Sequence, residues 1–246
     1  MTDAGPLRVL SAGAAKGVVL ALAETFGAAA GTTVVGVFDA AGAIRARFVD
    51  DRDADVVILP DAMLRTLAGE RRIDAETMAA LGAVPTGIAV PSGDPAPAIF
   101  DAEALAAALL DASALYCPDT RRATAGIHFR AMLRGLDIEA RVASKLREHA
   151  NGAAAMAAMA AAPDRRGAIG CTQATEILYT QGVTLIGPLP PPYELTTTYA
   201  VAVASASARV VAARQFAALL TSAATLELRR SAGFAARPST ASFTDR

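Results

Sequence analysis

The 246-residue chain is 53% hydrophobic and 19% charged with a formal net charge of -1, a composition that suits one large globular domain or two lobes. That balance excludes the basic surface that a general affinity for nucleic acid or acidic membrane requires. Two cysteines and two histidines exclude a disulfide framework and a clustered zinc site, so neither metal nor cofactor is expected.

The opening MTDAGP lacks the charged start and apolar core of a secretion signal, which predicts a cytoplasmic protein. Residues 7–10 predict a buried strand, followed by the small-residue turn at 11–16. A helix is predicted over 16–30, with Val19, Leu22, Ala23 and Phe26 at helical spacing. A β-branched strand at 32–38 runs through the turn at 39–42 into a helix ending near Val49. DVVIL at 55–59 predicts a third strand, and Asp61 a cap for the next helix. This alternation predicts a parallel sheet with helices on its faces, whose ligands sit beyond the carboxyl ends of the strands. The turns at 11–16, 39–42 and 60–61 then share one rim.

An extended segment at 81–90 and the turn-rich PSGDPAP at 91–97 lead into a second α/β unit. Helices are predicted at 103–110, 124–136, 153–161 and 174–179, and strands at 114–117, 168–171 and 183–186. After the PLPPP cluster, a strand at 196–204 returns and a helix covers 208–229. Alanine-rich runs such as 153–162 predict close-packed helices, and no apolar stretch of roughly 18 residues is expected to span a membrane. Two extended crossings, near 84–90 and 194–202, separate lobe 1 (1–84 with 197–246) from lobe 2 (85–196), with a ligand cleft between them.

Several segments, in order and spacing over nearly the whole chain, resemble the molybdate-binding branch of the type II periplasmic binding proteins. They are LRVLSAGAAKG at 7–17, FDAAGAIRARF at 38–48, ADVVILPDAML at 54–64, TGIAVPSG at 86–93, ATAGIHFRAML at 123–133, NGAAAM at 151–156 and AIGCTQATEI at 168–177. The resemblance implies a two-lobed α/β fold of that type, each lobe a mostly parallel sheet flanked by helices. Molybdate binders of this family place serine hydroxyls in the first two turns, with backbone amides and often a tyrosine completing the shell. Here those positions fall on Ala14, Ala41 and, for the tyrosine, Cys171. Each hydrogen bond lost to a charged group costs roughly 1.5–3 kcal/mol, which argues against tight molybdate binding.

The remaining groups suggest a larger, carboxylated anion. Lys16 and Ser11 flank the first turn, and Arg121, Arg122, Thr124 and Ala125 open a helix of the second lobe. Asn151 and Gly152 start another helix, Thr172 and Gln173 follow a strand, and Ala15 completes the first turn. The resemblance has an enzymatic offshoot, aconitate isomerase and the cytoplasmic cis–trans isomerases of 4-carboxy-2-hydroxy-6-methoxy-6-oxohexa-2,4-dienoate from lignin-derived ring cleavage. It implies a cofactor-independent cis–trans or double-bond isomerase of an unsaturated di- or tricarboxylate. The alternative is a molybdate, oxyanion or organic-acid solute-binding protein without catalysis.

In the isomerase reading, developing charge on oxygen would be held by amides and a cation. Lys16 is the expected cation or proton donor, Ser11 a relay or orienting group, and His128 a proton shuttle or a packing histidine. Cys171 reads as a small buried thiol, Asp39 as a cap or base, and Tyr193 as a cleft cover or hinge packing. The expected partner is a small polycarboxylate, with no nucleic acid and no membrane.

Overall fold

The computed structural model describes residues 5–50 and 53–235, so the ends of the expected lobe 1 and positions 51–52 lie outside the described residues. The first half runs β1 (Leu7–Ala12), a 3-10 turn (Gly13–Ala15), α1 (Lys16–Ala30), β2 (Val34–Asp39), α2 (Ala41–Asp50), β3 (Val56–Pro60), α3 (Asp61–Gly69) and the long β4 (Ile73–Pro91). Next come α4 (Ala102–Asp111), β5 (Leu115–Pro118), α5 (Thr124–Gly135), α6 (Glu139–Val142), β6 (Leu146–His149) and α7 (Gly152–Ala161). The chain ends through β7 (Ile169–Gln173), α8 (Ala174–Tyr179), β8 (Val183–Pro188), β9 (Thr196–Ala204), α9 (Val210–Thr221) and α10 (Leu226–Ser231).

The strands follow the order β2-β1-β3-β9-β4-β7-β5-β6, with β8 also paired to β4. Strands β1, β2 and β3 are parallel, as are β5, β6 and β7, while β9 and β8 run antiparallel to β4. The result is a mixed α/β fold of two lobes. The first half of β4 pairs with β9 through Pro85↔Thr196, and its second half pairs with β7 from Thr86↔Gln173 onward. The chain crosses from one sheet region to the other at that point.

Two groups of buried side chains reflect this division. One joins β1, β3 and β9 with α1, α2, α3 and α9, including Val9, Ile44, Ile58, Leu64, Val201 and Phe216. Phe26 of α1 and Phe216 of α9 meet with ring centroids 4.9 Å apart. The other gathers Ile88, Leu105, Leu115, Phe129, Met132 and Cys171, with a smaller group around Met156 and Met159 of α7.

Segment 13–30, although interrupted by Lys16 and Glu24, is long and apolar enough to cross a membrane by length and composition. In the fold, Val18, Val19 and Phe26 of that segment pack into the first core. The extended stretch expected at 81–90 starts earlier, at Ile73, because β9 pairs with it from Ala204 and register shifts absorb the polar residues between Asp74 and Ala79. The helix expected at 208–229 breaks at Ser222, which takes extended backbone angles. The buried Arg229 guanidinium then donates to the carbonyls of Leu220 at 2.6 Å and Ser222 at 3.2 Å, capping α9.

Candidate ligand cleft between the lobes

The register of the parallel strands builds the cleft. Pairing of Ser11 with Phe38 and of Ala12 with Asp39 brings the ends of β1 and β2 to one level. The turns that follow, at Gly13–Ala15 and Ala40–Ala41, therefore share a rim. From the facing lobe, β5 ends at Pro118 beside the start of α5, and the end of β7 presents Thr172 and Gln173. Tyr199, opposite Pro60 on β9, closes the floor.

These segments enclose a void lined by Ala12, Gly13, Ala14, Asp39, Ala40, Ala41, Pro118, Ala123, Thr124, Ala125, Asn151, Gly152, Thr172, Gln173, Glu176 and Tyr199. Its volume is about 20 Å³, the room of one or two water positions. The lobes are shut over it. Asn151 Nδ2 donates to Asp39 Oδ1 across the cleft at 3.1 Å, and a Cβ on Gly42 of α2 would lie 2.7 Å from the Arg122 carbonyl oxygen.

Helix starts dominate the walls. The first amides of a helix have no partner within it and carry the positive end of its dipole. No side chain caps α1 or α5. The start of α7 is occupied differently: Asn151 Oδ1 accepts from the Ala154 amide at 2.9 Å, and the Glu176 carboxylate accepts from the amides of Gly152 and Ala153. Glu176 Oε2 also accepts from Thr172 Oγ1 at 2.6 Å. Burial pushes the Glu176 carboxyl above its ordinary range, and these hydrogen bonds partly offset that. Burial first, then the neighbouring Glu176 charge, raises the Tyr199 phenol. Gln173 is almost wholly buried, and its Oε1 meets no partner.

Of the residues expected from the sequence, Ala14, Ala41, Thr124, Ala125, Asn151, Gly152, Thr172 and Gln173 come together on this void. Ala15 is buried just behind it, and Ser11 is buried with its hydroxyl donating to the Ala12 carbonyl at 2.8 Å. Lys16 lies along a neighbouring groove, its Nζ 5.0 Å from the Tyr179 ring centroid. Arg121 and Arg122 are exposed; their amides bond Asp119 Oδ1 at 2.8 and 3.1 Å, which turns the chain into α5. His128 Nε2 bonds the Tyr193 carbonyl at 2.7 Å, which places both on the packing side of the second lobe. Pleating points Cys171 into the second core while its neighbour Thr172 faces the cleft. Burial raises the Cys171 thiol and pushes that of Cys117 up to about 12. Glu176 was not singled out from the sequence. Its signal is a glutamate at the third position after the helix cap Gln173, where its carboxylate accepts from the Gln173 amide, half of a capping box without the cap side chain.

The model of the family described as bacterial extracellular solute-binding protein matches residues 7–235. The chain belongs to this family. Among solved structures, the periplasmic molybdate-binding protein of Azotobacter vinelandii is 16% identical with a TM-score of 0.73, over 93% of this chain and 98% of that one. The sulfate-binding protein SubI of Mycobacterium tuberculosis H37Rv is 16% identical with a TM-score of 0.72, over 94% and 86% of the two chains. Peb3 of Campylobacter jejuni is 14% identical with a TM-score of 0.64, over 93% and 98%. These likenesses share the fold. No curated protein matches the chain in sequence.

Membership in this solute-binding family overturns the isomerase reading, and with it the assignment to aromatic catabolism and lignin degradation. The physical reason is visible in the cleft, since Lys16, Ser11 and His128, the expected catalytic set, do not meet at the void. The expectation of a cytoplasmic protein falls as well, because the solute-binding family is extracellular.

Proposed function

We propose that this member of the solute-binding family is a non-catalytic receptor for a small oxyanion, held in the void between lobe 1 (1–84 with 197–246) and lobe 2 (85–196). The observation that carries this reading is the convergence of the turn leading into α1 and the starts of α2 and α5 on one space of about 20 Å³. Amides at such helix starts favour negative charge and form a ready anion site. The binding groups are the amides around Ala14, Ala41 and Ala125, with the Thr124 hydroxyl and the Gln173 amide. A void this small disfavours the extended polycarboxylate expected from the sequence. The molybdate- and sulfate-binding proteins of the same fold support an anion of that size.

Calorimetric titration with phosphate, arsenate, sulfate, molybdate, citrate and trans-aconitate tests the reading. At least one of the four inorganic oxyanions is expected to bind at one site, at least about tenfold tighter than either polycarboxylate. Heat from a polycarboxylate with none from the inorganic ions would contradict it.

A further inference from the structure

The two cysteines stand apart from the binding groups of the cleft. Both are free thiols, and both are wholly buried in the core of the second lobe. The sheet sets them side by side. Strands β5 and β7 run parallel, with Leu115 opposite Ile169 and Tyr116 opposite Gly170. The next step along both strands is Cys117 and Cys171. Side chains at matched positions of neighbouring strands share a face, and these two both enter the cluster around Ile88, Leu115 and Phe129. Burial first, then the neighbouring Cys117, raises the Cys171 thiol, so the two sulfurs sense each other. Neighbouring strands lie about 4.7–4.9 Å apart, inside the Cα separation of roughly 4.4–6.8 Å that a disulfide spans. Among the described residues, no group of three or more His, Cys, Asp or Glu that could hold a metal ion includes them.

We propose that Cys117 and Cys171 form a cross-strand disulfide when the chain folds in an oxidising compartment, a bond that the folded strands accommodate. The structure describes the reduced form. The family is extracellular, and disulfides form and persist in that environment, whereas a reducing cytosol would keep the pair as thiols.

The reaction needs a disulfide oxidant, of the class of oxidised glutathione or a protein disulfide. The thiolate of one cysteine attacks the S–S bond of the oxidant, joins one sulfur and expels the other as a thiol. The thiolate of the second cysteine then attacks the protein sulfur of this mixed disulfide, closes the Cys117–Cys171 bond and releases the second thiol. The chain gives up two electrons and two protons, and the oxidant takes up both.

Burial sets the timing. The thiolate is the attacking species, and in the folded core burial raises the Cys171 thiol and pushes that of Cys117 up to about 12. The exchange therefore precedes the closing of β5 and β7 into the core, and the same core then shields the bond from reductants. Its position also bears on the cleft. Pro118 and Thr172, the residues that follow the two cysteines, both line the void. The bond ties together the strands that deliver them and closes a loop of roughly 50 residues.

The test refolds the full chain from denaturant with oxidised and reduced glutathione, alkylates it under denaturing conditions and reads its mass. The expected product is a monomer two hydrogens lighter than the reduced chain, without alkylated cysteine, that yields a peptide pair joining Cys117 to Cys171. Its Tm should stand about 5–15 °C above that of chain refolded in dithiothreitol. A variant carrying both Cys117→Ala and Cys171→Ala should show no difference between the two buffers. Chain synthesised in a cell-free extract buffered with the same glutathione pair reads the bond without a refolding step. Two alkylated cysteines in the folded product, or cysteines held only as glutathione adducts or as links between chains, would overturn the proposal. A bond that leaves the Tm level or lowers it would overturn the claim that the folded strands accommodate it.

Discussion

Gly126→Ala is expected to lower the stability of the chain by roughly 1–3 kcal/mol, despite placing a better helix former in α5. Gly126 sits in the first turn of that helix and is buried. A Cβ there would press on the carbonyl oxygens of Pro118 and Asp119, with the Asp119 carbonyl carbon at 2.8 Å. All three residues belong to the same lobe, so no hinge motion relieves the contact. The backbone between β5 and α5 must shift, and the amides of Thr124 and Ala125 shift with it. Thermal unfolding should therefore show a lower Tm, and oxyanion affinity should fall alongside. An unchanged Tm with unchanged affinity would remove α5 from the anchored wall of the cleft.

Gly42→Ala should give the opposite pattern from the same chemical change. A Cβ at this α2 position would stand 2.7 Å from the Arg122 carbonyl oxygen, but here the two partners lie on facing lobes. Opening the cleft relieves the clash, so the fold has an escape that Gly126→Ala lacks. Helix propensity then favours alanine over glycine by about 0.8–1 kcal/mol, and Tm should stay level or rise. Binding needs the shut form, and an added closure cost of about 1.4–2.8 kcal/mol weakens affinity by roughly 10–100-fold. Small-angle scattering of the variant with oxyanion present should show a more extended particle than the wild type. Wild-type affinity with the alanine in place would mean that the contact between Gly42 and Arg122 does not accompany binding.

Much of this architecture is legible in the sequence because it rests on short-range signals. The apolar run at β1, the β-branched runs at β2 and β3 and the small-residue turns after them carry their own signals, and α1, α8 and β9 fall on the expected residues. The edge strand β6 is not legible. Its LREH has no strand character of its own and forms by pairing in parallel with β5. The short α6 before it likewise depends on packing, through Arg130 and Arg134 paired with Glu139 at 2.7 and 2.8 Å.

The cleft was partly legible for a related reason. Backbone positions such as Ala14, Ala41 and Ala125 follow from where strands end, so motif spacing finds them. Charged side chains invite attention without geometry, and Lys16, Arg121 and His128 attracted roles that their surroundings do not support. Glu176 went unnoticed because a glutamate at the third position of a helix is ordinarily a cap. Its burial against Gly13 and Gly152 depends on segments more than a hundred and sixty and about twenty residues away in sequence, which only the folded chain brings together.

The most direct test of the central claim is a crystal grown with arsenate, with data collected across the arsenic absorption edge. The account predicts one dominant anomalous peak in the void between the lobes, within hydrogen-bonding reach of the amides of Ala14, Ala41 and Ala125. An arsenic peak bound elsewhere on the protein, with that void filled only by water, would contradict it.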